Sequence, residues 1–233
     1  GTASQLVELE VGEGAGSVTL FNAGEITAGT HGLVGESNTE IRLDARQEGD
    51  GADRKVLARF GPDTGIVRLW NSREGRIFAE EGWGMIAHSN LHLELPESVE
   101  LEIASGPQVQ VRNDGLIFAR SGISTSSHSS NPAFSLGDDI EIAIGEEGVV
   151  LALDGPAVDI LEGNNNRLIN DGLLVSHGAW TITGGSGNES VINRGMLVGN
   201  LDLGGGRNSL VNEPGAFLAT GSLLDLGNGK LRN

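Results

Sequence analysis

The chain of 233 residues has no cysteine and no tyrosine. Without thiols it can build no disulfide framework, no thiolate metal site and no cysteine nucleophile. Aromatic residues are confined to three Trp and six Phe, too few for the aromatic girdles of a membrane β-barrel. Lysine occurs only at Lys55 and Lys230, and 15 basic residues against 32 acidic ones leave a net charge of −17. Such a surface repels phosphate backbones and anionic lipid, so no nucleic-acid partner is expected. No apolar run approaches the roughly 18 residues of a membrane helix, and Gly1-Thr2-Ala3-Ser4 is not a basic and apolar leader. Long helices have no room: the longest stretch free of Gly and Pro, Glu36 to Glu48, has 13 residues.

What the chain has in excess is glycine, 37 residues, together with evenly spread Val, Ile and Leu that can form a continuous core. A unit of apolar residues, Asn, a short gap, Gly and a further apolar pair recurs six times, with its Asn at Asn22, Asn71, Asn113, Asn170, Asn193 and Asn212. The intervals are 49, 42, 57, 23 and 19 residues, and the last two suggest a basic period near 20. Between these anchors lie alternating segments such as Leu91-His92-Leu93-Glu94-Leu95, Val99-Glu100-Leu101-Glu102-Ile103 and Ile140-Glu141-Ile142-Ala143-Ile144. Repeats of this length predict an all-β fold: a single-stranded parallel β-helix, or β-solenoid, of about ten coils over residues 1–233 as one domain. The six Asn are expected at a coil corner, in the left-handed conformation, with amides bonded to the Asn above and below. The Gly two residues later is expected to supply a positive φ. Apolar residues are expected inside and acidic ones outside. Independent Asn-Gly hairpins in a β-sandwich are the competing arrangement.

These residues resemble the passenger region of a bacterial autotransporter. Phe21-Asn22-Ala23-Gly24-Glu25-Ile26-Thr27-Ala28-Gly29 and Asn200-Leu201-Asp202-Leu203-Gly204-Gly205-Gly206-Arg207-Asn208-Ser209-Leu210 are similar to the loose coil phrases of that family. The resemblance implies a secreted, right-handed β-helix exported through an outer-membrane translocator barrel and displayed at the cell surface. It implies an adhesin-like stalk or binding module, with a host-surface or glycan ligand, acting as a monomer without a cofactor. The right hand agrees with the general bias of parallel crossovers. Neither end reads as a solenoid cap, so the sequence reads as part of a longer solenoid.

The alternative is a β-helix polysaccharide hydrolase or lyase with an acidic groove. Gly137-Asp138-Asp139-Ile140 resembles the paired-Asp motif of pectin-degrading enzymes, where one acid protonates the leaving oxygen and a carboxylate activates water. Ser176-His177-Gly178 would have to supply the His, while the family's Asn-Thr-Asp element and basic pair are missing. Gly184-Gly185-Ser186-Gly187-Asn188-Glu189-Ser190-Val191-Ile192 resembles one calcium β-roll loop, but no second loop stacks on it with the required acid. His88 and His92 share a strand face about 13 Å apart, too far to hold one metal. No catalytic or metal residue is therefore expected. Trp70, Trp83 and Trp180 could make an aromatic platform for sugar. Segments 46–62 and 121–132, rich in charge and Ser, are expected to loop out and carry partner contacts. A coil segment from a trimeric tailspike would instead need apolar outer faces buried between chains.

Overall fold

The computed structural model describes residues 6–11, 14–42, 55–60, 63–94, 99–103, 108–129 and 139–233. They hold strands and turns and no helix. The first strands are β1 (Leu6–Val11), β2 (Val18–Asn22), β3 (Glu25–Ala28), β4 (Leu33–Arg42), β5 (Lys55–Phe60), β6 (Val67–Asn71), β7 (Arg76–Glu94) and β8 (Val99–Ile103). They continue as β9 (Val109–Asn113), β10 (Leu116–Ser129), β11 (Ile140–Ile144), β12 (Val149–Ala152), β13 (Val158–Glu162), β14 (Asn165–Asn170), β15 (Leu173–Ser176) and β16 (Ile182–Thr183). The last are β17 (Asn188–Asn193), β18 (Met196–Val198), β19 (Leu201–Asp202), β20 (Ser209–Asn212), β21 (Phe217–Ala219), β22 (Leu224–Asp225) and β23 (Lys230–Arg232).

Every ladder between these strands is parallel. An eight-stranded sheet runs β2-β6-β9-β11-β14-β17-β20-β23, so the chain returns to the same face again and again in sequence order. Alternation decides which side chains point inward: Leu20, Leu69, Val111, Ile142, Leu168, Val191 and Leu210 stand in one register row. A twelve-stranded sheet supplies the other walls. Its strand β10 pairs through Leu116–Ala119 with β12 and through Ile123–Ser126 with β13, so one long strand gives way to two short ones. Two more inward rows follow. Ile77, Ile117, Val150, Leu174 and Leu197 stand in one, and Met85, Ile123, Val158, Ile182 and Leu201 in the other. All of these except the half-buried Leu20, which packs against them, are buried in one continuous core, where each fully buried side chain contributes about 1.5–3 kcal/mol. Stacked parallel passes with a shared apolar interior are consistent with a β-solenoid, and they leave no place for antiparallel hairpins at the Asn positions.

Among the described residues the chain does not return to this sheet between Asn22 and Val67 or between Asn71 and Val109, and the sheet has eight strands. The extra length goes into extended walls. Residues Ser37–Arg42 pair with Ser89–Glu94, and β1, β5 and β8 form a separate three-stranded sheet. Two segments expected to loop out are therefore partly strand: Lys55–Phe60 is β5, and residues 121–129 are the second half of β10. The remainder, 46–54, 61–62 and 130–132, lies outside the described residues. Serine stays in these walls because its hydroxyl can satisfy the backbone. Ser37 donates to the Gly16 carbonyl and Ser89 to the Gly65 carbonyl, each at 2.6 Å.

Candidate functional site

The six recurrent Asn occupy one corner row of the eight-stranded sheet, as the last residues of their strands. Asn22 Nδ2 donates to Asn71 Oδ1, Asn71 to Asn113 and Asn170 to Asn193, each at 2.8 Å. Asn193 donates to Asn212, and Asn212 to Asn233, each at 2.7 Å. Asn233 closes a further copy, Leu231-Arg232-Asn233, whose Leu and Asn spacing repeats Leu210-Val211-Asn212 and was readable in the sequence. The row is broken once. Ile144 stands between Asn113 and Asn170, and the buried Asn170 Oδ1 consequently has no partner. Ile144→Asn would restore both amide bonds. Its urea midpoint is expected to correspond to a stability within about 1 kcal/mol of wild type, whereas Ile142→Asn, equally buried two residues earlier, is expected to lose about 4 kcal/mol.

The conformational reading of this corner needs correction. None of the six Asn has a positive φ, and of the six glycines that follow them only Gly215 does, at 91°. Gly75, Gly115, Gly172 and Gly195 are glycine because the passes approach closely, whereas nothing lies within 4 Å of a Cβ added at Gly24. A Cβ on Gly115 would lie 2.2 Å from the Gly75 carbonyl oxygen, and one on Gly195 would lie 2.1 Å from that of Gly172.

A second polar row lines the neighbouring corner. Asn166 donates to Glu189 Oε1 at 3.1 Å, and the Glu189 backbone N–H donates to Asn208 Oδ1 at 2.9 Å. Glu189 is fully buried, and its Oε2 has no partner. Burial pushes its carboxyl above the ordinary 4.5, with hydrogen bonds from Asn166 and from backbone N–H groups opposing. Folding thus favours the protonated acid: the stabilising contribution is present at low pH and is lost as pH rises through the raised folded value. Glu189→Gln is expected to be more stable than wild type by about 1 kcal/mol at pH 7, with the gain vanishing near pH 4 in thermal melts. The surrounding glycines serve the stacking, since a Cβ on Gly187 would meet the Gly163 carbonyl oxygen at 2.0 Å.

Of the enzyme-like residues that are described, Asp139 and His177 lie apart, next to strands of different sheets. Asp139 leads into β11 beside Asn165 Nδ2 at 3.3 Å, and burial raises its pKa. His177 sits at a different corner, after β15, and Asp138 lies outside the described residues. Among the described residues no three His, Asp or Glu side chains come together as a metal site. A cluster that the sequence reading missed lies on the outside of the β4, β7, β10 and β13 wall. His88 Nε2 is 3.3 Å from Ser124 Oγ, His88 Nδ1 is 3.9 Å from Glu36, and Thr183 donates to Asp159 Oδ1 at 2.5 Å. Burial lowers the His88 pKa and raises that of Asp159. Serine, neutral imidazole and carboxylate stand in the order of a nucleophilic triad. Yet Ser124 is 3% exposed and the carboxylate lies beyond hydrogen-bond reach of the imidazole, so the cluster binds neighbouring strands together. His92 is exposed beside Glu94.

The outer faces carry the larger surprise, because they are not uniformly acidic. On the eight-stranded sheet Phe21 and Trp70 are 57% and 45% exposed and meet edge to face at 5.1 Å. Arg112 lies over the Trp70 ring at 5.5 Å, and Asp114 accepts both the Trp70 indole N–H and the Arg112 guanidinium. These contacts hold the Trp70 ring and the Arg112 guanidinium in place. Trp83 and Trp180 sit at another corner, in passes separated by those of Ser121 and Pro156, so the three Trp form no common platform.

The next wall is apolar on both sides. Outward positions Leu116, Val149, Leu173, Met196 and Phe217 form one register row, and Phe78, Phe118, Leu151, Val175 and Val198 form its neighbour. Met196, Phe217 and Phe118 are 46%, 51% and 38% exposed. Charges line the corner beside the first row, with Arg73 paired to Glu147 and Arg194 within 3.6 Å of Asp171 and 3.4 Å of Glu213. Beyond the second row Arg120 pairs with Asp154. Compared with known proteins, the chain matches no family model, no curated protein and no solved structure.

Proposed function

We propose that the chain is an adhesin-like stalk or binding module, a right-handed β-solenoid of eight passes whose outer faces, rather than an active site, do the work. The observation that carries this reading is the pairing of two organised outer surfaces, aromatic on one wall and apolar on the next, with an interior devoted to stacking. Exposed apolar surface costs solubility and marks interaction sites when it is contiguous. Phe21, Trp70 and Arg112 are residue types that dominate binding energy when preorganised. Display at a bacterial surface as part of an autotransporter passenger, and a host-surface or glycan ligand, belong to the same proposal through the coil phrases quoted above.

The test is binding of the purified chain to host cells and glycan arrays beside a Phe21→Ser/Trp70→Ser variant. The expected result is binding that falls at least tenfold in the variant, with no cleavage of the glycans. Glycan hydrolysis that disappears with Asp139→Asn would instead establish the hydrolase reading.

A further inference from the structure

We infer that the two outward apolar rows form a docking site for a cationic amphipathic helix of another molecule, the helix lying along the stack of strands. The inference rests on the reading that the outer faces are the working parts. Leu116–Ala119 of β10, all of β12, Leu173–Val175 of β15 and all of β18 are apolar at inward and outward positions alike, the pattern of parallel strands covered on both sides. The inward side is covered by the core, and the outward side carries Phe118, Met196 and Phe217 in the open.

The dimensions and the charges select the occupant. Six strands from β7 to β21 contribute to the rows, and five steps of about 4.8 Å give a strip about 24 Å long. The rows stand two residues apart, about 7 Å. That footprint falls far short of the roughly 800 Å² per partner of a stable protein pair, so it does not hold a second copy of this chain. It matches one face of a single helix about 10 Å across, and about 16 helical residues span its length. On the flanking corner Asp114, Glu146, Glu147, Asp171 and Glu213 outnumber Arg73 and Arg194; Arg76 precedes Leu116 at one end of the first row, and on the other side Asp154 is paired with Arg120. Two copies with a net charge of −17 each would bring like-charged rims together. A helix with a Leu-type stripe edged on one side by Lys or Arg satisfies the strip and the acidic rim at once.

The experiment titrates the protein with two synthetic 18-residue amphipathic helices, one of Leu and Lys and one of Leu and Glu, by fluorescence anisotropy. Sedimentation of the protein alone runs beside it. The comparison protein is Phe118→Ser/Val175→Ser/Met196→Ser, which keeps every charge, with its fold checked by circular dichroism. If the triple variant fails to fold, Met196→Ser alone replaces it. The expected result is one Leu/Lys helix per chain, no binding of Leu/Glu, and a loss of at least tenfold in the triple variant (at least threefold in the single). Equal Leu/Lys binding by wild type and variant would place the contact elsewhere on the acidic surface and overturn the inference. So would absence of Leu/Lys binding, or a wild-type dimer that the variant abolishes. Glycan or cell binding that survives the apolar substitutions would leave the aromatic surface in place while this docking site fails, which separates the two readings.

Discussion

Asn193→Leu is expected to lower the stability of the chain by about 3–5 kcal/mol. Asn193 Nδ2 donates to Asn212 Oδ1 at 2.7 Å and to the Phe217 carbonyl at 3.0 Å, and its Oδ1 accepts from Asn170. Leucine has the same number and branching of side-chain heavy atoms and is somewhat larger, so the cost contains no cavity and falls on the polar groups it removes. Asn212 Oδ1 would be left without its donor in the interior, Asn170 Nδ2 would keep only the Met196 carbonyl, and each orphaned group costs about 1–3 kcal/mol. Adding Asn212→Leu should cost less than the sum of the two single changes, because the second substitution removes the oxygen that the first one orphaned. Urea unfolding of the single and double variants reads this directly. A loss below 1 kcal/mol for Asn193→Leu would mean that the amides do not carry the corner.

The second large effect separates two reasons for glycine at the same corner. Gly115→Ala would drive a Cβ to 2.2 Å from the Gly75 carbonyl oxygen and 2.3 Å from that of Ser72, both of them backbone atoms. The passes would have to part, and the expected cost is about 3 kcal/mol or more. Gly24 occupies the equivalent place in the first pass, where nothing lies within 4 Å of an added Cβ and φ is not positive. Gly24→Ala is therefore expected to be neutral or to stabilise by about 0.4–1 kcal/mol through the unfolded chain. If the corner demanded a left-handed residue, both substitutions would be costly, and thermal melts of the pair decide between the two.

The parts of the fold that follow from local pattern were legible before the structure. Alternation in Ile140–Ile144 and Val99–Ile103 marks strands that are there. The recurrence of Asn with its flanking apolar residues marks a row that really does stack. What escaped depends on neighbours that one sequence does not display. Ile144 fills an Asn place because its pass keeps the apolar spacing while its last polar group is gone, so a search keyed on Asn steps over it. Glycine at the corner suggested a turn conformation, whereas the demand comes from the carbonyl of the pass beside it. The Ser-rich stretch 121–129 reads as loop by composition, yet Ser124, Thr125, Ser126 and Ser127 are buried in β10 among other strands. The outward apolar rows had a signal that went unused: Leu173-Leu174-Val175 and Met196-Leu197-Val198 do not alternate, and a strand with water on one face should. The His88 cluster joins strands 36 and 52 residues apart in sequence and has no local signature.

The central claim is that consecutive passes lie parallel and in register, and engineered disulfides test it most directly because the native chain contributes no thiol. Ser190 and Ser209 face each other with their hydroxyl oxygens 3.3 Å apart, and Ile192 pairs with Val211 two residues further along both strands. The measurement is the yield of intramolecular disulfide, under mild oxidation, in three double-cysteine variants at 190/209, 192/211 and 192/207. Parallel passes bring the first two pairs within bonding distance and hold the third too far apart, so high yields at 190/209 and 192/211 with little at 192/207 are expected. Ready bonding at 192/207 with none at 192/211 would mean an antiparallel pairing, and the stacked account of this protein would fall with it.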